Sequence, residues 1–351
     1  MEIVTIRELK QRACEAAGQY GVRVQVSAVV EKTTRSGKPF YEVRLVDAED
    51  HYVLRAWNDT PGYEMAAGLE AGEYVEVSGR WADAGDFGIE AKSWDVRSLT
   101  EEEVAGVLAG GDELARRQAG DYAFILERVT GMVDPRLAGV SGLFLEAFGD
   151  RFRRAGAARG YHHARRGGLV EHVAQMMRCA LGVCGAYPDL HEDLVVAGVL
   201  FHDSGKLWEN CYMEDGFVMP YSESGELLGH IAIGMELVNK LWRDLMVSAE
   251  AEAWGELDPK SEEVRLHLLH LIGSHHGTHE FGSPVVPKTP EAYVLHHVDN
   301  IDAKMEMFAR GYETSSLLAP NIFDRVRPLP GNLVRPLRKL RDEEGTMDDD
   351  D

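Results

Sequence analysis

Histidine and aspartate residues recur in the second half of the chain, each on or at the end of an apolar segment with helical spacing. In chain order they are His172, His202, Asp203, His230, His275, His276 and Asp299. A polar side chain is costly to bury in such a segment unless it has a partner. Imidazole and carboxylate ligands together suit first-row transition metals, whereas Ca²⁺ prefers oxygen ligands. The pattern therefore predicts a divalent metal site built from several helices.

Each of these residues also has a purely structural interpretation. A single histidine on an apolar helix is more often a hydrogen-bonded core residue than a metal ligand, and the chain contains 14 histidines. The metal interpretation is favoured because the residues recur at several sites in helical contexts.

The dipeptide His202-Asp203 is the centre of the predicted site. An adjacent pair can place two ligands on one ion while the second carboxylate oxygen bridges to a neighbouring ion. Lys206 follows Asp203 by about one helical turn and could contact a non-bridging phosphate oxygen. The alternative for Lys206 is a solvated lysine that caps a helix C-terminus. Asp203 and Lys206 are the candidate catalytic residues.

Two further residues share a helix face with Asp299. His296 lies three residues before it and Asp302 three residues after it, a spacing that brings side chains together on a helix. We expect both residues to orient ligand histidines through hydrogen bonds. Asp302 could instead compete for the ligand position itself.

Short strands are predicted for the first third of the chain, because residues 22–98 alternate apolar and polar side chains between turn signals. The predicted strands are residues 22–30, 40–46, 52–57, 74–81 and 89–96, with a helix at 63–69. Five strands with a helix between the third and the fourth is the order expected of an OB-fold β-barrel.

Helical spacing begins at about residue 100 and continues to about residue 312, after which the chain becomes rich in proline. We find no apolar run of about 18 residues and no pattern of a signal peptide at the N-terminus. The four cysteines are too sparse for a disulfide scaffold, so reduced thiols in a cytoplasmic protein are expected.

Acidic residues outnumber basic residues, 59 to 37, and the formal net charge is −22. This charge argues against nonspecific adhesion to nucleic acid or anionic membranes. Local clusters stand out against this background. Residues 151–166 contain six arginines and no acidic residue, and a loop and strand near residues 31–57 combine basic and aromatic side chains. The candidate nucleic-acid-binding residues are Lys32, Arg35, Lys38, Tyr41, Arg55, Trp57, His162, His163, Arg165 and Arg166.

These clusters also have structural alternatives. The arginine run could be a solvated or interface-packing helix that balances acidic residues elsewhere. Aromatic residues on strands are commonly core residues, and OB-folds also serve as oligomerisation modules.

The histidine and aspartate order resembles the HD-domain metal-dependent phosphohydrolases over about residues 120–315. The segments YHHARRGGLVEHV, FHDSGKLWE, GSHHG and HHVDNIDAKMEMF are similar to the YhaM family of 3′–5′ exoribonucleases, which also place an OB-fold before the HD domain. The resemblance implies that His172, His202, Asp203 and Asp299 hold one ion. It implies a second ion held by His230 with His275 or His276, and bridged by Asp203.

The resemblance also implies a fold and an activity. The fold class is multidomain α+β, with a five-stranded OB-fold β-barrel followed by an all-α HD domain. The expected domains are an N-terminal segment (1–17), an OB-fold nucleic-acid-binding domain (18–100), a helical linker (101–119), the HD-type phosphohydrolase domain (120–315) and a C-terminal extension with an acidic tail (316–351). The expected activity is 3′–5′ hydrolysis of single-stranded RNA, or of single-stranded DNA, to nucleoside 5′-monophosphates by a homo-oligomer.

The expected cofactor is a pair of divalent metal ions, with Mn favoured over Fe, Co, Ni or Mg. Three other functions stay open. The HD chemistry could act on free or cyclic nucleotides, with the OB-fold as an oligomerisation module. A similar set of ligands serves oxygen chemistry in di-iron oxygenases. The chain could also be a non-catalytic RNA-binding adaptor.

Overall fold

The computed structural model of the chain describes residues 1–85, 88–159 and 163–337, without the side chain of residue 92. It divides into two compact units, Met1–Asp299 and Asn300–Asp351. The first unit contains the strand region and most of the helical region.

The strand region is one mainly antiparallel sheet with two short helices. Its elements are β1 (Glu2–Ile3), α1 (Ile6–Glu15), β2 (Gly18–Thr33), β3 (Pro39–Val46), β4 (His51–Trp57), α2 (Gly62–Ala67), β5 (Tyr74–Asp83) and β6 (Ile89–Ser98). The strand order is β4-β3-β2-β5-β6, and β1 pairs with β2 in parallel. Alternating residues such as Val24, Val43 and Leu54 are buried between the sheet and the helices, which is the pattern of a sheet with one face in a core.

The predicted strands and the helix between the third and fourth are confirmed, but the closed five-stranded barrel is wrong. Among the described residues, no backbone hydrogen bonds join β4 to β6, the two outer strands of the sheet. Side chains span this gap instead: the Tyr52 hydroxyl donates to the Ile89 carbonyl at 2.6 Å, and the Trp57 indole Nε1 donates to Glu90 Oε1 at 3.2 Å. We call the gap between β4 and β6 the open seam. Alternation of residues predicts strands, but it does not predict whether the last pair closes.

The rest of the described chain is mainly helical, as expected of an all-α HD domain. The helices are α3 (Glu101–Ala109), α4 (Asp112–Thr130), α5 (Pro135–Phe152), α6 (Gly168–Ala186), α7 (Glu192–Phe201), α8 (Lys206–Glu209), α9 (Glu223–Met246), α10 (Ser261–Ser274) and α11 (Pro290–Thr314). No described helix is both long and apolar enough to cross a membrane.

Helix α7 lies in the centre of the helical core. All eight residues of α7 from Leu194 to Phe201 are buried, as expected of a helix that is apolar all round. Helices α6 and α10 both pack on it. The end of α7 is therefore a fixed point from which the next residues, His202 and Asp203, project.

The segment 210–222 joins the helical core to the sheet within the first unit. Phe217 is buried with Ala48 of the strand region and Leu114 of α4. Its backbone N–H donates to Gln25 Oε1 at 2.8 Å, and the Tyr74 hydroxyl donates to the Asp215 carbonyl at 2.8 Å. This segment begins just after α8 and ends at the start of α9.

The second unit begins within α11 and continues into a small antiparallel sheet. Its strands are β7 (Leu317–Ala319), β8 (Ile322–Phe323) and β9 (Leu333–Val334), in the order β7-β8-β9. Phe323, Leu329 and Leu333 form its small core. The predicted acidic tail, residues 342–351, lies outside the described residues.

Candidate metal centre

Four of the predicted ligands converge where α6, the end of α7 and α11 meet. His172 Nε2 lies 3.3 Å from His202 Nε2 and 3.4 Å from Asp299 Oδ1. Asp203 Oδ2 lies 3.3 Å from His202 Nε2 and 3.8 Å from His172 Nε2. His172, His202 and Asp203 are all buried. We call these four residues the first cluster.

The remaining predicted ligands, His230, His275 and His276, form a second cluster beside the first. One ligand atom from each lies within 4.8 Å of the others. His230 belongs to α9, whereas His275 and His276 directly follow α10. The structure brings all seven predicted ligands together from five helices, α6, α7, α9, α10 and α11, and the turns that follow two of them.

Asp203 faces both clusters with different oxygens. Its Oδ2 is directed at the first cluster, whereas its Oδ1 lies 3.6 Å from His230 Nε2 and 3.7 Å from His275 Nε2. A carboxylate that presents one oxygen to each of two ligand groups has the geometry of a bridge between two ions.

Unpaired atoms of Asp203 and of the second cluster test whether the residues fit a cation. Asp203 Oδ1, His230 Nε2 and His275 Nε2 are buried, and none has a hydrogen-bond partner in the part of the chain that the structure describes. Leaving such a group buried without a partner costs about 1–3 kcal/mol. A divalent cation would satisfy all three atoms at once, so the residues fit a metal ion.

The protonation of the histidine rings agrees with this test. The Nδ1 atoms of His202 and His275 donate to the carbonyls of Val199 and Ile272, each at 2.8 Å. His276 Nδ1 likewise donates to the Phe281 carbonyl at 2.7 Å. A ring that donates from Nδ1 offers the lone pair of Nε2 to a metal.

Electrostatics keep the ligands in the forms that bind metal. Burial opposes ionisation of Asp203, but Lys206 and the adjacent histidines hold its pKa well below the usual value. Burial and the nearby His202 lower the pKa of His275 well below its usual value, and burial also lowers the pKa of His276. An ionised carboxylate and neutral imidazoles are the states required for coordination.

Lys206 is buried rather than solvated. Its Nζ donates to Asp203 Oδ2 at 2.6 Å, across the first turn after the His202-Asp203 pair. The solvated capping lysine that the sequence left open is therefore not observed. Lys206 holds Asp203 and lies close enough to the clusters to contact a phosphate oxygen there.

Two glycines allow helix α9, which carries His230, to lie close to the turn after Asp203. A Cβ atom on Gly205 would lie 1.9 Å from the His230 carbonyl oxygen, so no side chain is tolerated there without moving α9. Gly229 has φ +70° and interrupts the helical backbone directly before His230, a conformation that glycine adopts at little cost.

Glu209 was not predicted as a site residue, yet it fixes His230. Its Oε2 accepts from the His230 backbone N–H at 2.8 Å and from the ring Nδ1 at 3.0 Å. Burial raises the pKa of Glu209, but the bond to His230 outweighs it and the pKa is lowered. The available signal was an acidic residue one turn after Lys206 in FHDSGKLWE.

His296 and Asp302, the predicted orienting residues, both lie on α11. His296 Nδ1 donates to the His275 carbonyl at 2.8 Å, so it contacts the backbone of a candidate ligand rather than its ring. Asp302 is buried.

The arginines predicted to bind nucleic acid next to the metal centre are turned into the protein. Arg165 Nε donates to the buried carboxylate of Glu171 at 3.1 Å. Arg166 donates to three carbonyls of the segment 210–222, at 2.5 Å, 2.9 Å and 3.2 Å. Internal acceptors therefore engage donors of both side chains, and the prediction that these arginines guide phosphate stays a prediction.

The same motif contains two predicted histidines, His162 and His163. His163 is buried, with Nδ1 3.8 Å from Glu171 Oε2, and its role in nucleic-acid binding stays a prediction. His162 lies outside the described residues.

The predicted nucleic-acid-binding residues of the sheet differ in their contacts with other side chains and in their exposure. Lys32 pairs with Glu42 at 2.6 Å, and Arg55 Nε lies 3.9 Å from the same carboxylate. Trp57 stacks on Phe40 with ring centroids 4.8 Å apart. The other predicted residues are Tyr41, which packs against Tyr63 at 4.9 Å, and the exposed Arg35 and Lys38.

Comparison with known proteins identifies the helical region. Residues 169–304 match the family model of the HD domain. Two solved structures of asparaginyl-tRNA synthetase from Pyrococcus horikoshii, one of them complexed with asparaginyl-adenylate, are similar at 16% identity with TM-scores of 0.21 and 0.22. Each similarity covers 42% of this chain and about a third of the synthetase (36% and 35%). The HD-domain match, with the two His/Asp clusters, indicates a metal-dependent phosphohydrolase.

Proposed function

We propose that the protein is a metal-dependent 3′–5′ exoribonuclease that hydrolyses single-stranded RNA to nucleoside 5′-monophosphates. The observation that carries the proposal is Asp203, whose two oxygens face two separate ligand clusters. A pair of ions in such an arrangement is suited to phosphodiester hydrolysis. The RNA substrate and the 3′–5′ direction are supported by the YhaM-like motifs of the sequence.

In this proposal His172, His202, Asp203 and Asp299 would hold one ion. His230, with His275 or His276, would hold the second, and Asp203 would present one oxygen to each. Bound divalent ions supply an acidified water and neutralise charge on the phosphoryl group. Mn is the favoured metal, with Fe, Co, Ni and Mg as alternatives, since His/Asp sites bind several metals.

The protein's own residues perform three tasks. Lys206 keeps Asp203 ionised and places a cation within 2.6 Å of its Oδ2. Glu209 fixes the orientation and the tautomer of His230. The hydrogen bonds from His202 and His275 to backbone carbonyls keep the other rings in one orientation.

A gel assay tests the proposal. Metal-free protein is mixed with single-stranded RNA labelled at its 5′ end, and Mn²⁺, Mg²⁺, Fe²⁺ or Co²⁺ is restored in turn. We expect a ladder that shortens from the 3′ end. Turnover of mononucleotides with the RNA left intact would refute the exonuclease.

A second candidate is an HD phosphohydrolase that acts on free or cyclic nucleotides, with the sheet as an oligomerisation module. The pairing of Lys32 with Glu42 favours it, because this pairing reduces the positive charge available for RNA. The same assay with mononucleotides and cyclic nucleotides separates the two candidates. Binding of RNA without hydrolysis of any of these substrates would identify the non-catalytic RNA-binding adaptor.

A further inference from the structure

The open seam of the sheet contains two cavities on either side of one side-chain bridge. The bridge is the hydrogen bond from Trp57 Nε1 to Glu90 Oε1. One cavity of about 300 Å³ reaches towards Thr60 and Trp94, and the other, of about 380 Å³, reaches towards Tyr52. Either cavity is large enough to hold a nucleobase.

Three side chains line both cavities, and their chemistry defines a ligand. Trp57 provides an aromatic wall, Arg55 a cation and Glu90 a carboxylate. An apolar ligand would cover the charges of Arg55 and Glu90 without compensating them, and a bare anion would be repelled by Glu90. A planar ring that carries N–H donors and an attached phosphate matches all three.

The groups are available for such a ligand. The Glu90 carboxylate uses Oε1 for the Trp57 indole, and a carboxylate accepts several hydrogen bonds at once. Arg55 Nε lies 3.9 Å from Glu42, beyond hydrogen-bond distance, so this contact does not consume its donors. Trp57 is held in place from one side by its stack on Phe40.

We propose that the open seam is a nucleobase-binding site that prefers bases with an exocyclic amino group, with Glu90 as the residue that determines the preference. Glu90 accepts from the amino group, Trp57 stacks on the base and Arg55 contacts the phosphate. Uracil is disfavoured because it presents a carbonyl oxygen where cytosine presents the N4 amino group, and a carboxylate cannot donate to it. The inference rests on the proposed single-stranded nucleic acid substrate.

Binding without catalysis tests this site separately from the proposed exonuclease. Fluorescence anisotropy is measured with labelled oligo-C and oligo-U of equal length in EDTA, so that no metal-dependent hydrolysis can occur. We expect the wild-type protein to bind oligo-C about tenfold more tightly than oligo-U, the size of one good base contact. Because the assay needs no turnover, it gives the same answer whether or not the protein is an exonuclease.

Substitutions assign the preference to Glu90. Glu90→Gln should reduce the oligo-C preference to less than about threefold, because an amide can donate to uracil as well as accept from cytosine. Glu64→Gln is the matched control, since Glu64 is exposed on α2 and lines neither cavity. It should retain the wild-type preference.

Removal of the aromatic wall gives a second, independent measurement. Trp57→Ala should weaken the binding of both oligonucleotides by about tenfold. Trp57→Phe should retain most of the affinity, because bases stack on either ring. Circular dichroism of each variant reports whether the sheet has folded. If Trp57→Ala does not fold, the Glu90→Gln result decides alone.

Three results would overturn the proposal. These are equal affinity of the wild-type protein for oligo-C and oligo-U, no binding of either, and an unchanged preference in Glu90→Gln.

Discussion

The metal centre and the outer face of the sheet use similar charged residues in opposite ways. At the metal centre, buried atoms such as Asp203 Oδ1 and His275 Nε2 have no hydrogen-bond partner among the described residues. On the sheet, Lys32 is paired with Glu42, and Arg55 lies near the same carboxylate. The difference teaches that residue type alone does not identify a ligand site. A buried polar atom that the protein leaves unpaired is the stronger indication.

The largest effect is expected from Asp203→Ala, which removes both bridging oxygens. Loss of about 4 kcal/mol of transition-state stabilisation corresponds to a roughly 10³-fold slower hydrolysis of RNA. The rise in melting temperature on adding Mn²⁺ should also disappear, because a bound ion stabilises the folded state. Asp244→Ala, at an exposed residue of α9, is the control. A wild-type rate in Asp203→Ala would show that the cluster is not the catalytic centre.

A smaller effect is expected from Glu209→Gln, which weakens the acceptor of both His230 hydrogen bonds. Affinity for the second ion should fall about 10- to 100-fold, the usual consequence of losing a residue that orients a ligand. Affinity for the first ion should stay unchanged. Isothermal titration with Mn²⁺ resolves the two sites, and Glu226→Gln, at an exposed residue of α9, is the control. Loss of both sites together would contradict the separation into two clusters.

Arg166→Met tests whether the arginine run is structural. Three carbonyls of the segment 210–222 lose their donor, so the free energy of unfolding should fall by about 2 kcal/mol. Affinity for RNA should change little, because the guanidinium donors are engaged by backbone carbonyls. Urea unfolding measures the first quantity and anisotropy the second, with Arg243→Met, at an exposed residue of α9, as the control. A variant of normal stability that binds RNA weakly would support the prediction that Arg166 guides phosphate.

The smallest effect is expected on the sheet. Substitution of Arg35 and Lys38 together by Ala should lower RNA affinity a few-fold and reduce the slope of log Kd against log salt by about 1.4, or about 0.7 for each phosphate contact. Lys32→Ala should change the slope less, because Lys32 is already paired with Glu42. Anisotropy over a salt series in EDTA measures both. Equal slopes in all variants would remove these residues from RNA binding.

The sequence predicted the strands, the helical region and the residue types of the metal centre, because strand alternation and polar residues in apolar helices are local patterns. Contacts between distant segments were not predictable in this way. Glu209 and His230 are 21 residues apart and meet only because α9 folds back onto α8. In the same way, the direction of the Arg165 side chain depends on Glu171, and that of Arg166 depends on the segment 210–222. Whether β4 and β6 pair depends on side chains that span the gap.

Gly205 has a consequence for any redesign of this centre. The hydrogen atom at this position acts as a spacer of minimum thickness between the turn after Asp203 and the backbone of His230. Even a methyl group would separate the two halves of the ligand set, and no ligand residue would have been changed. Libraries that vary metal preference should therefore keep glycine at residue 205. A variant there would lose metal because the helices move apart, and not because a ligand has changed.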